Sequence, residues 1–243
     1  MALLNPQLLC YTRIIYLYDL ERDKEIREGD MRVLVITAVL MLVFAIIYGA
    51  SRGRFGGRPL AFKALATFMA VYLGMYGAIR FGGMTGTFMS LGLVLCMAAD
   101  VALELDFVKG ILLFGTAHIC FIVSYNRLAH PVWYTFAGAS LAYLLLFVLF
   151  KKDLKDLGKL KAVAVIYMAV LCYMAASAVT LWISYRTEAS AMAAAGAVCF
   201  VISDGIIAYR TTKGKEELIY GAAILLLYYS AVYLFGAAVF IGL

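Results

Sequence analysis

The sequence predicts an all-α, polytopic membrane protein with eight transmembrane helices in one bundle. Three observations lead there. First, 65% of the 243 residues are hydrophobic and 15% are charged, with a mean hydropathy of +0.93, whereas a soluble domain is about half apolar. Second, the apolar residues fall into eight stretches near 32–50, 61–79, 85–105, 108–126, 132–150, 161–185, 189–209 and 219–242. Each is close to the roughly 20 residues a spanning helix needs. Third, the chain has three prolines and no long alternation of period two, which disfavours a β-barrel.

The connections set each stretch apart in turn. Arg52, Arg54 and Arg58 follow the first, Arg80 the second, Lys109 the third and Arg127 the fourth. Lys151, Lys152, Lys155, Lys159 and Lys161 follow the fifth, Arg186 the sixth, and Arg210, Lys213 and Lys215 the seventh. Twelve basic residues thus follow the odd-numbered stretches and three the even-numbered ones. That bias predicts cytoplasmic basic loops in a bacterial plasma membrane, with both termini outside. The net charge of +6 then reads as a topology signal, and no nucleic-acid partner is expected.

Residues 1–30 form a tail apart from the eight-helix domain, 31–243. The tail alternates Arg13, Arg22, Lys24 and Arg27 with Asp19, Glu21, Asp23, Glu25, Glu28 and Asp30. Its charges follow its short apolar run, unlike a signal peptide. Two readings stand: a native start at Met31, or a short amphipathic interfacial helix at 7–20. Counting the tail and Arg32 narrows the charge bias to twelve against eight. Cys10, Cys96, Cys120, Cys172 and Cys199 have neither CxxC pairing nor zinc spacing, so neither metal nor cofactor is expected.

Two aspartates lie inside spans, where an ionisable group costs several kcal/mol and marks a functional site by default, about 3 kcal/mol on insertion scales. Asp100 ends the run Gly92-Leu-Val-Leu-Cys-Met-Ala-Ala-Asp100, and Asp204 the run Gly196-Ala-Val-Cys-Phe-Val-Ile-Ser-Asp204. The matched glycines and the place of each run in its half suggest a 4+4 parallel repeat. Counting at 1.5 Å per residue places Asp100, Asp204, Lys63, His118, Tyr228 and Tyr229 in the half of the bilayer nearer the basic loops. This convergence suggests one site. Each residue also has a plainer role. Lys63 at a helix start can snorkel, Glu104 can face interfacial water, His118 can bond a carbonyl, the tyrosines can pack, and Arg210 can simply orient the chain. The aspartates can be a structural pair with Lys63 or His118.

Ala98-Ala99-Asp100-Val101-Ala102-Leu103, with Phe107, Gly110, Phe114, His118 and Phe121 at helical spacing, resembles the signature of the YhhN-like lysoplasmalogenases. Phe200-Val-Ile-Ser203-Asp204-Gly-Ile-Ile-Ala208, Tyr228-Tyr229-Ser230-Ala231 and Arg58-Pro59-Leu60-Ala61-Phe62-Lys63 resemble its other segments. The resemblance covers about 33–242 and departs from the family pattern at Ala99, Phe121 and Val232. It implies hydrolysis of the vinyl ether of lysoplasmalogens, with a lysophospholipid as substrate and membrane lipids as surroundings. Protonation of the carbon β to the ether oxygen would give an oxocarbenium ion that water captures, much as two carboxyl groups act on glycosides. Low dielectric and a neighbouring like charge both disfavour ionisation of a carboxyl, so one acid can keep its proton while its partner is charged. Asp100 and Asp204 are expected to divide those roles, with His118 positioning one of them or the water. Lys63 is expected to meet the phosphate, with Arg210 a weaker candidate, and Tyr228 and Tyr229 to line the site. A proton-coupled transporter or a lipid-binding membrane protein using the same acids is the alternative. A metal hydrolase is disfavoured because two aspartates and one histidine are few ligands for zinc.

Overall fold

The structure is a computed structural model that describes residues 6–51, 59–152, 158, 160–213 and 218–243. Among the expected loop charges, Arg52, Arg54, Arg58, Lys155, Lys159 and Lys215 lie outside the described residues. The described residues form eight helices, α1 (Pro6–Ser51), α2 (Pro59–Phe81), α3 (Gly83–Leu105), α4 (Phe107–Leu128), α5 (Trp133–Phe150), α6 (Leu160–Tyr185), α7 (Glu188–Lys213) and α8 (Leu218–Phe240). No strand occurs among them. All eight contain stretches long and apolar enough to cross a membrane. The expected spans match them closely, and α1 also takes in 7–20, for which a short interfacial helix was one of two readings.

The chain divides into two compact units, Met1–Val39 and Leu40–Leu243. In the first, Arg32 reaches Glu28 at 3.9 Å, and Thr37 Oγ1 donates to the Val33 carbonyl at 2.8 Å, the back-bond a threonine makes within a helix.

In the second unit six helices close into a ring. α2 packs on α3, α3 on α4, α4 on α6, α6 on α7, α7 on α8, and α8 on α2 again. α5 stands outside this ring against α6, with Leu141 70% and Leu149 61% exposed. Leucines so bare along a whole helix are stable only against lipid. The ring maps onto itself when α2, α3 and α4 are exchanged for α6, α7 and α8, as a parallel repeat requires.

The two matched glycines share one job. A Cβ on Gly92 would lie 2.3 Å from the Phe121 ring of α4, and one on Gly196 would lie 2.8 Å from the Phe235 ring of α8. Each half therefore seats a phenylalanine of its fourth helix on a glycine of its third. The two rings meet with centroids 4.7 Å apart. The single-residue turn between α3 and α4 is held by Asp106, whose carboxylate accepts from the backbone N–H groups of Val108 at 3.0 Å and Lys109 at 3.2 Å. This is an N-cap, and the Lys109 and Val108 amides hold the Asp106 carboxyl below the usual range.

α2 and α8 approach closest through small residues, as helices do where no hydrophobic force draws them together in lipid. A Cβ on Gly77 would stand 2.3 Å from the Val239 carbonyl oxygen, and one on Gly236 would stand 2.5 Å from that of Ala70. Backbone meets backbone there, so neither side can give way by a rotamer change. Gly77→Ala is expected to cost about 1–3 kcal/mol through overpacking and to lower the melting temperature in detergent. Gly221→Ala, where a Cβ meets nothing within 4 Å, should melt no lower than the parent. Equal melting of the two variants would refute this account of the interface.

Candidate active site

Helix periodicity carries each polar side chain to the inside of the ring. Lys63 stands in the second turn of α2 and Thr67 one turn further on, so both face α3. There Asp100, 1% exposed, accepts hydrogen bonds from Thr67 Oγ1 at 2.5 Å and from the Tyr228 hydroxyl of α8 at 2.7 Å. The Lys63 ammonium, itself 5% exposed, lies 3.9 Å from Asp100 Oδ1 and 3.1 Å from Glu104 Oε1. Glu104 is one turn beyond Asp100 on the same face and also accepts from the Tyr48 hydroxyl of α1 at 2.5 Å. Among the described residues the result is a network of one cation, two carboxylates and three hydroxyl donors, buried at Asp100 and open at Glu104.

Asp204 has a different setting. It is partly exposed, and among the described residues it accepts one hydrogen bond, from the Tyr167 hydroxyl of α6. The same hydroxyl lies 3.1 Å from Nε2 of His118 on α4. His118 is fully buried, and its Nδ1 has no hydrogen-bond partner among the described residues. No cation pairs with Asp204 among the described residues.

The two carboxylates do not touch each other. Each has its own partners, and aromatic rings connect the two networks. Tyr228 packs edge-on to Phe200 at 5.5 Å, and His118 packs on the other side of the chain of rings, 4.6 Å from Phe200. Cys96, buried one turn before Asp100, lies within electrostatic reach of both acids. The expected layer of polar groups is therefore present, split into two networks.

Other expected residues fall as follows. His118 meets a tyrosine instead of an aspartate. Lys63 is turned inward onto two carboxylates, because the end of α1 covers it with Tyr48, whose ring centroid is 5.6 Å from the ammonium. Tyr229 is buried with its hydroxyl unpartnered among the described residues. Arg210 sits in the last turn of α7, partly exposed. Tyr167, Thr67 and Tyr48 were not foreseen, while Glu104 is exposed as expected and also bonds Lys63 and Tyr48. A signal for Tyr167 was available: it precedes Asp204 by 37 residues, the separation of Lys63 from Asp100. No group of three or more histidine, cysteine, aspartate and glutamate side chains is arranged to hold a metal among the described residues.

Eight apolar helices around two interior carboxylate networks define a polytopic α-helical membrane protein whose polar chemistry is confined to its core. Residues 58–239 match the model of the YhhN family. The chain belongs to that family, which includes lysoplasmalogenases and points to a hydrolase. No curated protein and no solved structure matches it.

Removing the cation leaves the buried Asp100 carboxylate without its counter-charge. Lys63→Met is expected to destabilise the protein by about 3–5 kcal/mol, the usual result of breaking a buried pair from one side. Lys63→Met combined with Asp100→Asn should recover part of the loss. Thermal unfolding in detergent measures both, and an undiminished melting temperature for Lys63→Met would contradict the ion-pair account.

Proposed function

We propose that the protein hydrolyses the vinyl-ether bond of lysoplasmalogens, releasing a fatty aldehyde and a glycerophospho-base. One observation carries the reading. Asp204 of α7, a partly buried residue in a membrane-spanning bundle, is bonded to a phenol and paired with no cation among the described residues. An acid in that position suits proton delivery to carbon in a water-poor site.

The reaction needs few parts. A proton adds to the carbon β to the ether oxygen, and the oxygen lone pair stabilises the resulting cation. One water adds to the oxocarbenium carbon and surrenders a proton to a carboxylate. The hemiacetal then breaks its carbon–oxygen bond to give the aldehyde and the glycerol hydroxyl. Asp100 and Asp204 share the acid and charge-stabilising roles, and His118 acts through Tyr167. The unpartnered Tyr229 hydroxyl is placed to meet a polar atom of the substrate, beside Tyr228. Arg210 at the end of α7 suits the phosphate, in a protein whose basic loops face the cytoplasm. Lys63, already bonded to Glu104 and Asp100, serves in this reading as their counter-ion and not as the phosphate ligand.

Aldehyde release in detergent micelles tests the activity, because hydrolysis proceeds there and transport cannot. Vinyl-ether lysophospholipids should be cleaved, while alkyl-ether and ester analogues are left intact, since neither yields an oxocarbenium ion on protonation at carbon. Asp100→Asn and Asp204→Asn should each lower kcat by about 10²–10⁴-fold, the range for acid–base groups. Cleavage of the ester and vinyl-ether lipids at similar rates would point to a different hydrolase. No aldehyde from any vinyl ether would end the reading.

A further inference from the structure

We propose that Tyr167 is the positioning residue of a proton-donating arm, His118–Tyr167–Asp204, in which Asp204 is the proton donor and Asp100 is the carboxylate that stays charged. The inference rests on the vinyl-ether reading for its chemistry and on geometry for the division of labour.

The geometry comes from comparing two halves that share one plan. In the first half the acid on the third helix is met from the second helix by Lys63 and Thr67, and from α8 by Tyr228. In the second half the residue 37 positions before the acid is Tyr167. At the position matching Thr67 stands Leu171, which is buried. Phe114 and Phe121 of α4 have the spacing of Tyr228 and Phe235 of α8, so Phe114 matches Tyr228, and their rings lie 5.7 Å apart. A lysine and two hydroxyl groups around Asp100 are thus replaced around Asp204 by a phenol and two hydrocarbon side chains.

That exchange decides the roles. A buried carboxylate needs a counter-charge or several donors. Asp100 has both: Lys63, Thr67 and Tyr228 favour the charged form, against the like charge of Glu104 one turn on. Asp204 has a single neutral donor, so in the absence of substrate it is most stable as the uncharged acid. Asp204 is also the less deeply buried residue of the two, whereas Asp100 is closed off.

Tyr167 then does two things. Its hydroxyl fixes the direction of the Asp204 carboxyl group, and it couples that group to His118. With Asp204 protonated on Oδ1, His118 Nε2–H donates to the phenol oxygen and the phenol donates to Asp204 Oδ2. After the proton leaves for the substrate carbon, the Asp204 O–H bond is broken and a C–H bond has formed. Both hydrogen bonds keep their direction, and the phenol now stabilises the carboxylate. Water adding to the oxocarbenium carbon returns one proton to Asp204. The cycle consumes one water, and proton and charge balance at every step.

The test uses full-length protein in detergent with a vinyl-ether lysophospholipid. Tyr167→Phe removes one oxygen and keeps the ring that lines α6. It should lower kcat about 10–100-fold, the cost of a misplaced reacting group, with KM unchanged. A second reading needs no turnover: infrared difference spectra in H2O and D2O detect the C=O stretch of a protonated carboxyl group. That band should be present in the parent, absent in Asp204→Asn, retained in Asp100→Asn and displaced in Tyr167→Phe. Loss of the band in Asp100→Asn, or a Tyr167→Phe variant with parental kcat and an unmoved band, overturns the proposal. If the parent cleaves no vinyl ether but the band behaves as stated, the substrate reading fails and the proton assignment survives.

Discussion

The bundle depends on the neutralisation of Asp100 by Lys63. A carboxylate in the core of a membrane protein is tolerable only if a cation and hydrogen-bond donors replace the water it has lost. Lys63 can supply the cation because it lies in the second turn of α2, where its stem runs along apolar surface. Lys63 lies between Glu104 at 3.1 Å and Asp100 at 3.9 Å. Three hydroxyl groups also donate to these acids: Tyr48 from α1, Thr67 from α2 and Tyr228 from α8. Donors from three helices converge on acids of a fourth. The network therefore also fixes how α1, α2, α3 and α8 sit against each other within the second unit.

Packing then follows the polar requirement. Lipid tails offer no hydrophobic force to bring helices together, so close approach comes from small residues. Gly77 and Gly236 let α2 and α8 touch backbone to backbone, which brings Tyr228 to Asp100. Gly92 and Gly196 let the Phe121 and Phe235 rings enter the ring interior, where they fill space that water would otherwise occupy. The aromatic cluster of Phe114, Phe200, Tyr228 and His118 keeps the two acids in separate surroundings while holding them in one layer.

Much of this was legible in the sequence. Spans were readable because twenty apolar residues between charged loops suit little besides a membrane-crossing helix, and α2 to α8 all appear where expected. Asp100 and Asp204 stood out because a charge in an apolar run is costly. Lys63 was legible as a site residue but not in its role, since the direction of its side chain depends on Tyr48, which arrives from α1. Tyr167 was hidden by its company: among 17 tyrosines, a phenol carries no signal until its partner is known. The single pocket expected for both acids became two networks. Depth along a helix says nothing about which way round the ring a residue points, and Phe200, which packs between their partners, looks from sequence like any other core residue.

The two halves share one arrangement of helices, and the second network is the simpler of the two. A repeat with two sealed ion pairs would be stable and inert, because each carboxylate would be held in its charged form by its neighbours. Replacing the lysine by Tyr167, the threonine by Leu171 and the α8 tyrosine by Phe114 removes the groups that hold charge and leaves the acid in place. Stability lost on that side is a modest matter for a neutral carboxyl group, which needs one partner instead of several. The first half, with its cation and hydroxyl donors, keeps the helices in register, and the proton donor proposed on the second half would depend on that rigidity. The asymmetry between Lys63 and Tyr167 thus gives the two acids of one helical plan unlike surroundings.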